Sequence, residues 1–192
     1  MKLFVLVDYQ NDFVNEEVLG FEEAKKLDGK LARRVDEATN DKDYLIAVTY
    51  DTHDDNYLNT REGKYLPIIH TIFETDGWKI YGKTAEAIDR VKSQKGVCEL
   101  YKKAFGLSAE NIIYLKEWLY MQGYKPEDIT CIELGGVVGN MCVMSVAVCL
   151  QAEFYNAEII VHDSLIASFD SSKHHAALAV VEGLQMQVIR DK

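Results

Sequence analysis

The stretch Gly135-Gly136-Val137-Val138-Gly139-Asn140-Met141-Cys142-Val143 joins a β-rich run to a segment that is apolar nearly all round. Cys142 then falls in the first turn of a helix, where free N–H groups and the positive dipole end lower a thiol pKa. The same N–H groups suit the oxyanion of a tetrahedral intermediate. No histidine lies in a motif beside Cys142, which argues against a papain-like Cys-His pair. Asp8 closes the first apolar run, in Val7-Asp8-Tyr9-Gln10-Asn11-Asp12-Phe13, and Lys102 follows another, in Tyr101-Lys102-Lys103-Ala104-Phe105-Gly106. A carboxylate at the mouth of a buried sheet needs a partner or a task. Each residue also has a plainer reading: a core cysteine, an aspartate making an Asx-type turn, a solvated lysine.

The elements that must position these side chains read as alternating strands and helices. Lys2 to Val7, Tyr44 to Thr49, Ile129 to Leu134 and Glu158 to Val161 are short apolar runs, with Val97 to Leu100 and Met186 to Ile189 as two more. They do not alternate with polar residues, so they predict strands buried on both faces of a parallel sheet. Helical patterns lie between them: Phe21 to Thr39, Thr84 to Ser93, a helix capped by Ser108 that runs through Leu119 to Gly123, Met141 to Ala152, and Ser171 to Gly183. The expected fold is a doubly wound, Rossmann-like α/β structure with a mostly parallel six-stranded sheet and helices on both faces. Residues 1–192 are expected to form one domain. In such sheets ligands bind beyond the carboxyl ends of the strands, and Asp8, Asp51, Lys102 and Cys142 all fall there. The long segment from Asp51 to Gly82 has little periodicity, which points to a functional loop.

Composition narrows the partners. A formal net charge of -10 disfavours nucleic acid and anionic membrane surfaces. The apolar start is too short to span a bilayer and lacks the layout of a secretory signal. Cys98, Cys131, Cys142 and Cys149 form neither a disulfide framework nor a zinc knuckle, which points to a reducing cytoplasm. All but Cys142 read as core. A plain α/β fold that binds a dinucleotide is disfavoured because no G-x-G-x-x-G follows the first strand, and no organic cofactor is expected. His162 ends a strand and His174 and His175 open the last helix, so structural or surface roles are expected for them.

Asp-x-Gln-Asn-Asp-Phe after strand one, Lys-x-x-Phe-Gly in the middle and Gly-Val-Val-x-x-x-Cys-Val before an apolar helix together resemble the isochorismatase-like cysteine hydrolases, nicotinamidases and related amidases above all. The resemblance runs from about Lys2 to the C-terminus. It implies Cys142 as nucleophile, Asp8 as the base that takes its proton and Lys102 as the stabilising cation. It also implies a cis peptide between Val137 and Val138, with the N–H groups of Val138 and Cys142 forming the oxyanion hole, and Phe13 in the substrate pocket. The family's usual threonine is Gly139 here, and Gly106-Leu107-Ser108 replaces the commoner Ser-Ala-Phe.

Asp51-Thr52-His53 resembles the start of the nicotinamidase metal site, whose ion binds a pyridine nitrogen. The frequent second histidine is Asn59 here, whereas Glu62 matches a variant that uses glutamate, and His70 follows. Asp51, His53, Glu62 and His70 offer two imidazoles and two carboxylates, which suit Zn²⁺, Fe²⁺ or Mn²⁺. Their plainer reading is as hydrogen-bonding loop residues. The resemblance implies hydrolysis of a small amide, with nicotinamide to nicotinate plus ammonia leading, and a homo-oligomer. The rivals are a metal-free isochorismatase-like or carbamoyl-amide hydrolase, and a catalytically silent relative acting as a binding module.

Overall fold

The computed structural model describes residues 1–15 and 18–190. The apolar runs become β1 (Lys2–Val7), β2 (Tyr44–Asp51), β3 (Cys98–Lys102), β4 (Cys131–Val137), β5 (Glu158–Ala167) and β6 (Gln187–Ile189). They form one sheet in the order β3-β2-β1-β4-β5-β6, and every pairing is parallel. The order reverses between β1 and β4, so a crevice opens where those two strands end, one carrying Asp8 and the other leading to Cys142.

The helices are α1 (Asn11–Val14), α2 (Glu22–Lys25), α3 (Asp28–Asn40), α4 (Arg61–Tyr65), α5 (Gly82–Gln94), α6 (Ala109–Met121), α7 (Met144–Glu153) and α8 (Ser171–Gly183). Leu115, Val146 and Leu178 carry α6, α7 and α8 onto one face of the sheet. Val35, Ala87 and Ile88 carry α3 and α5 onto the other. Among the described residues no helix is long and apolar enough to cross a membrane.

Several boundaries differ from the sequence reading. The expected helix from Phe21 to Thr39 is broken, because the Ala24 carbonyl accepts from Leu27 N–H at 3.1 Å and from the Tyr9 hydroxyl at 2.8 Å. Those bonds tighten the chain into a turn, and α3 starts afresh at Asp28, whose carboxylate caps α5 by accepting from Lys83 N at 3.0 Å and Thr84 N at 2.9 Å. β2 and β3 run on to Asp51 and Lys102, which are register partners, so the two side chains stand next to each other on neighbouring strands. β5 is longer than its apolar run and continues through His162, Asp163 and Ser164.

The glycine pair of the nucleophile stretch has a steric cause. Gly136 has φ +125°, and a Cβ there would lie 2.0 Å from the Val7 carbonyl oxygen. Only glycine lets β4 pass so close to the end of β1.

Candidate active site

β1, β3 and the turn after β4 deliver one carboxylate, one ammonium and one thiol to the same buried point. Asp8 is 0% exposed, Lys102 1% and Cys142 4%. Lys102 Nζ lies 2.6 Å from Asp8 Oδ2 and donates to Asp51 Oδ1 at 3.1 Å, to the Ala104 carbonyl at 3.1 Å and to Cys142 Sγ at 3.6 Å. Cys142 sits within a π turn, Gly139–Val143, closed by Val143 N–H donating to the Val138 carbonyl at 3.2 Å. Single π turns recur at functional sites. The Val137–Val138 peptide is cis, as expected.

Asp8 is held from behind by a residue the sequence reading missed. Thr49 Oγ1 donates to Asp8 Oδ1 at 2.5 Å, and Asp8 N–H donates to the Thr49 carbonyl at 3.2 Å. These bonds fix an aspartate whose φ of +45° is left-handed. Oδ2 meets Lys102 as an ion pair but without hydrogen-bonding alignment, so a buried acceptor stays open beside the thiol. Cys142 Sγ and Asp8 Oδ2 both stand against Lys102 Nζ, at 3.6 Å and 2.6 Å.

The second half of the site is a metal-type cluster. One ligand atom each from Asp51, His53, Glu62 and His70 lies within 4.8 Å of the others. His53 Nε2 is 3.0 Å from Asp51 Oδ2 and 4.0 Å from Glu62 Oε1, and His70 Nε2 is 3.4 Å from Asp51 Oδ2. His70 Nδ1 donates to the Ile68 carbonyl at 2.7 Å, which fixes the ring with Nε2 facing the cluster. Burial and the nearby Asp51 charge push the Glu62 carboxyl up. Two carboxylates and two imidazole nitrogens converging with too little positive charge are a donor set that fits a divalent cation. Phe13 packs beside it, its ring 5.5 Å from that of His70 and roughly edge-on.

The chain matches the isochorismatase domain family over residues 2–191. It belongs to the isochorismatase family. Among solved structures it is similar to a nicotinamidase from Bacillus subtilis, at 25% identity and a TM-score of 0.82, over 99% of this chain and 100% of that one. A pyrazinamidase of Pyrococcus horikoshii, solved in complex with zinc, shares 18% identity with a TM-score of 0.78, over 99% of each chain. An N-carbamoylsarcosine amidase from Thermoplasma acidophilum shares 22% identity with a TM-score of 0.71, over 99% of this chain and 96% of that one. No curated protein sequence matches. As a member of the isochorismatase family the protein is a hydrolase.

In this hydrolase the motif after β1 works as a clamp on the long segment that follows β2. The Gln10 side chain donates to the Asp51 carbonyl at 2.9 Å and the Trp78 carbonyl at 2.8 Å, and accepts from Asp51 N–H at 2.8 Å. Asn11 Nδ2 donates to the Asp76 carbonyl at 2.7 Å, and Asp12 Oδ2 accepts from Thr71 N–H at 2.7 Å. The signal for Gln10, Asn11 and Asp12 was present in the motif, but not their role. The segment itself carries a 3₁₀ turn at Tyr57–Asn59, α4 and a bridge between His53 and Ile72, so it is more ordered than its lack of periodicity implied.

One expectation fails. Burial holds the Cys142 thiol well above its ordinary range; Lys102 opposes this, but the charges of Asp8 and Asp51 reinforce it. A helix terminus and one lysine do not outweigh full desolvation beside two carboxylates. Burial likewise raises Asp8 despite Lys102, whereas Lys102 itself stays protonated because Asp8, Cys142 and Asp51 overcome its own desolvation. Burial is overcome at Asp51 too, by Lys102 and by bonds to His53 and His70, so this carboxylate remains ionised. The resting site therefore holds a thiol, an ammonium and a receptive carboxylate.

Proposed function

We propose that the protein is a cysteine-dependent amidohydrolase acting on a small primary amide, with nicotinamide, released as nicotinate and ammonia, as its leading substrate. The observation that carries this reading is the buried contact of Asp8, Lys102 and Cys142 beside the Asp51, His53, Glu62 and His70 cluster. Asp8 takes the thiol proton as Sγ adds to the carboxamide carbon, so the thiolate forms only as it is consumed. The N–H groups of Val138 and Cys142 serve the resulting oxyanion. Asp8 returns the proton to the departing nitrogen, the C–N bond breaks, and ammonia leaves a thioester on Cys142. Asp8 then draws a proton from water as its oxygen adds to the thioester carbonyl; the C–S bond breaks, and Sγ recovers the proton. Lys102 keeps its charge throughout and balances whichever anion is present. Asp51, His53, Glu62 and His70 would hold a divalent ion, which would supply a Lewis-acid contact for a ring nitrogen, and Phe13 forms a wall of the same pocket.

The test is ammonia release from nicotinamide, pyrazinamide and benzamide, before and after chelation, with metal content measured by elemental analysis. Nicotinamide and pyrazinamide should be turned over well ahead of benzamide, which lacks the ring nitrogen, and chelation should remove that preference. Equal rates on benzamide, or full activity with no bound metal, would replace this reading with a metal-free hydrolase.

A further inference from the structure

The turn that carries Cys142 receives no side-chain cap from the residue before it, Val138. Its Asn140 N–H instead donates to Ser168 Oγ at 3.1 Å. Ser168 lies just past the end of β5 and is buried. Behind it, Ser168 Oγ stands 3.2 Å from His174 Nδ1, and His174 Nε2 stands 2.8 Å from Asp163 Oδ1. These contacts assign one direction to the chain of protons. His174 Nε2–H donates to the Asp163 carboxylate, Nδ1 accepts the Ser168 hydroxyl proton, and an oxygen lone pair is left for Asn140 N–H.

Residue 139 explains why the bond comes from a neighbouring strand. A Cβ on Gly139 would lie 2.8 Å from Ser168 Oγ, 3.2 Å from Ile166 Cδ1 and 3.3 Å from His174 Nδ1. The space that a side chain at 139 would fill is taken by the serine and histidine. We propose that Ser168, oriented by His174 and Asp163, is a positioning residue that fixes the Gly139–Val143 turn and so aims the Cys142 thiol. Neither Ser168 nor His174 touches the reacting atoms in this assignment. They act through the backbone that carries them.

The test compares Ser168→Ala with Ser168→Thr and reads two rates. One is iodoacetamide alkylation of Cys142, followed by peptide mapping, which needs no substrate. The other is kcat and KM for ammonia release, which rests on the proposed amidase reading. In a folded Ser168→Ala variant both the alkylation rate and kcat should fall about tenfold, the scale of one buried hydrogen bond, with KM little changed. Ser168→Thr keeps the hydroxyl and should stay within about twofold of the parent. A folded alanine variant with unchanged alkylation, or a threonine variant as slow as alanine, would overturn the proposal. If Ser168→Ala does not fold, His174→Phe keeps a ring and removes the serine's acceptor. An unchanged alkylation rate there would overturn the proposal equally. If the parent protein releases no ammonia from any amide, the substrate reading fails while the alkylation arm still decides this one.

Discussion

Replacing Lys102 with methionine keeps most of the side-chain length and removes the ammonium that touches both Asp8 Oδ2, at 2.6 Å, and Asp51 Oδ1, at 3.1 Å. Both carboxylates are almost wholly buried, so neither can turn to water for solvation. Breaking a buried pair of this kind destabilises a protein by about 3–5 kcal/mol. For a chain of this size that corresponds to a fall of roughly 6–20 °C in melting temperature. The loss should shrink as pH is lowered, because Asp8, already raised by burial, takes up a proton and ceases to be a stranded charge. Adding Asp8→Asn to Lys102→Met should recover part of the stability, since the double variant no longer buries an unpaired charge at position 8. Thermal and urea unfolding of the metal-stripped protein, run on both single variants and the double, would measure this. A Lys102→Met variant melting within ~2 °C of the parent, or a double variant no better than the sum of the singles, would refute the assignment of Lys102 as the buried counter-ion.

Asp8→Asn should preserve the Thr49 contact yet lower turnover by at least about 10²-fold, the usual scale of general-base help, as read from kcat for ammonia release. Cys142→Ala should abolish turnover and leave the urea midpoint close to the parent's, because it removes little volume. Glu133 should contribute acid sensitivity of a different origin. Burial pushes it up, but bonds from His162, Tyr44 and Arg34 outweigh this and hold it at about 2 against an ordinary 4.5. With a depressed folded-state pKa, its contribution is fully present above about pH 4.5 and lost as pH falls toward about 2, so Glu133→Gln should flatten the urea midpoint across that window.

The sheet was legible because each of its central strands is a continuous apolar run, which only burial on both faces explains. The strand ends were not. Asp51 and Lys102 are polar because they face the site, so the hydropathy signal stops before the hydrogen-bonded ladder does. His162 and Asp163 hide the continuation of β5 in the same way. The break between α2 and α3 depends on the Tyr9 hydroxyl reaching the Ala24 carbonyl, a tertiary contact with no local trace. The metal-type quartet was reached through the resemblance of Asp51-Thr52-His53 and Glu62 to a family metal site, and the structure brings those same four side chains together. The ionisation of Cys142 was not readable, because the helix terminus is local in sequence whereas the desolvation and the two carboxylates come from strands far away in the chain.

Asp51 gives one oxygen to Lys102 and turns the other toward His53 and His70. A single carboxylate thus faces the Lys102 ammonium on one side and a cluster that fits a divalent cation on the other, and the two holds on it would be thermodynamically reciprocal. An ion held by Asp51, His53, Glu62 and His70 would loosen Asp51's hold on Lys102 and leave it more to Asp8, and a tighter Lys102–Asp51 pair would weaken such an ion by the same free energy. Loading of the cluster and the readiness of Asp8 to accept a proton would then be coupled through Asp51. Through Asp51, an ion on the cluster would tune the thiol's own base as well as anchor a ligand.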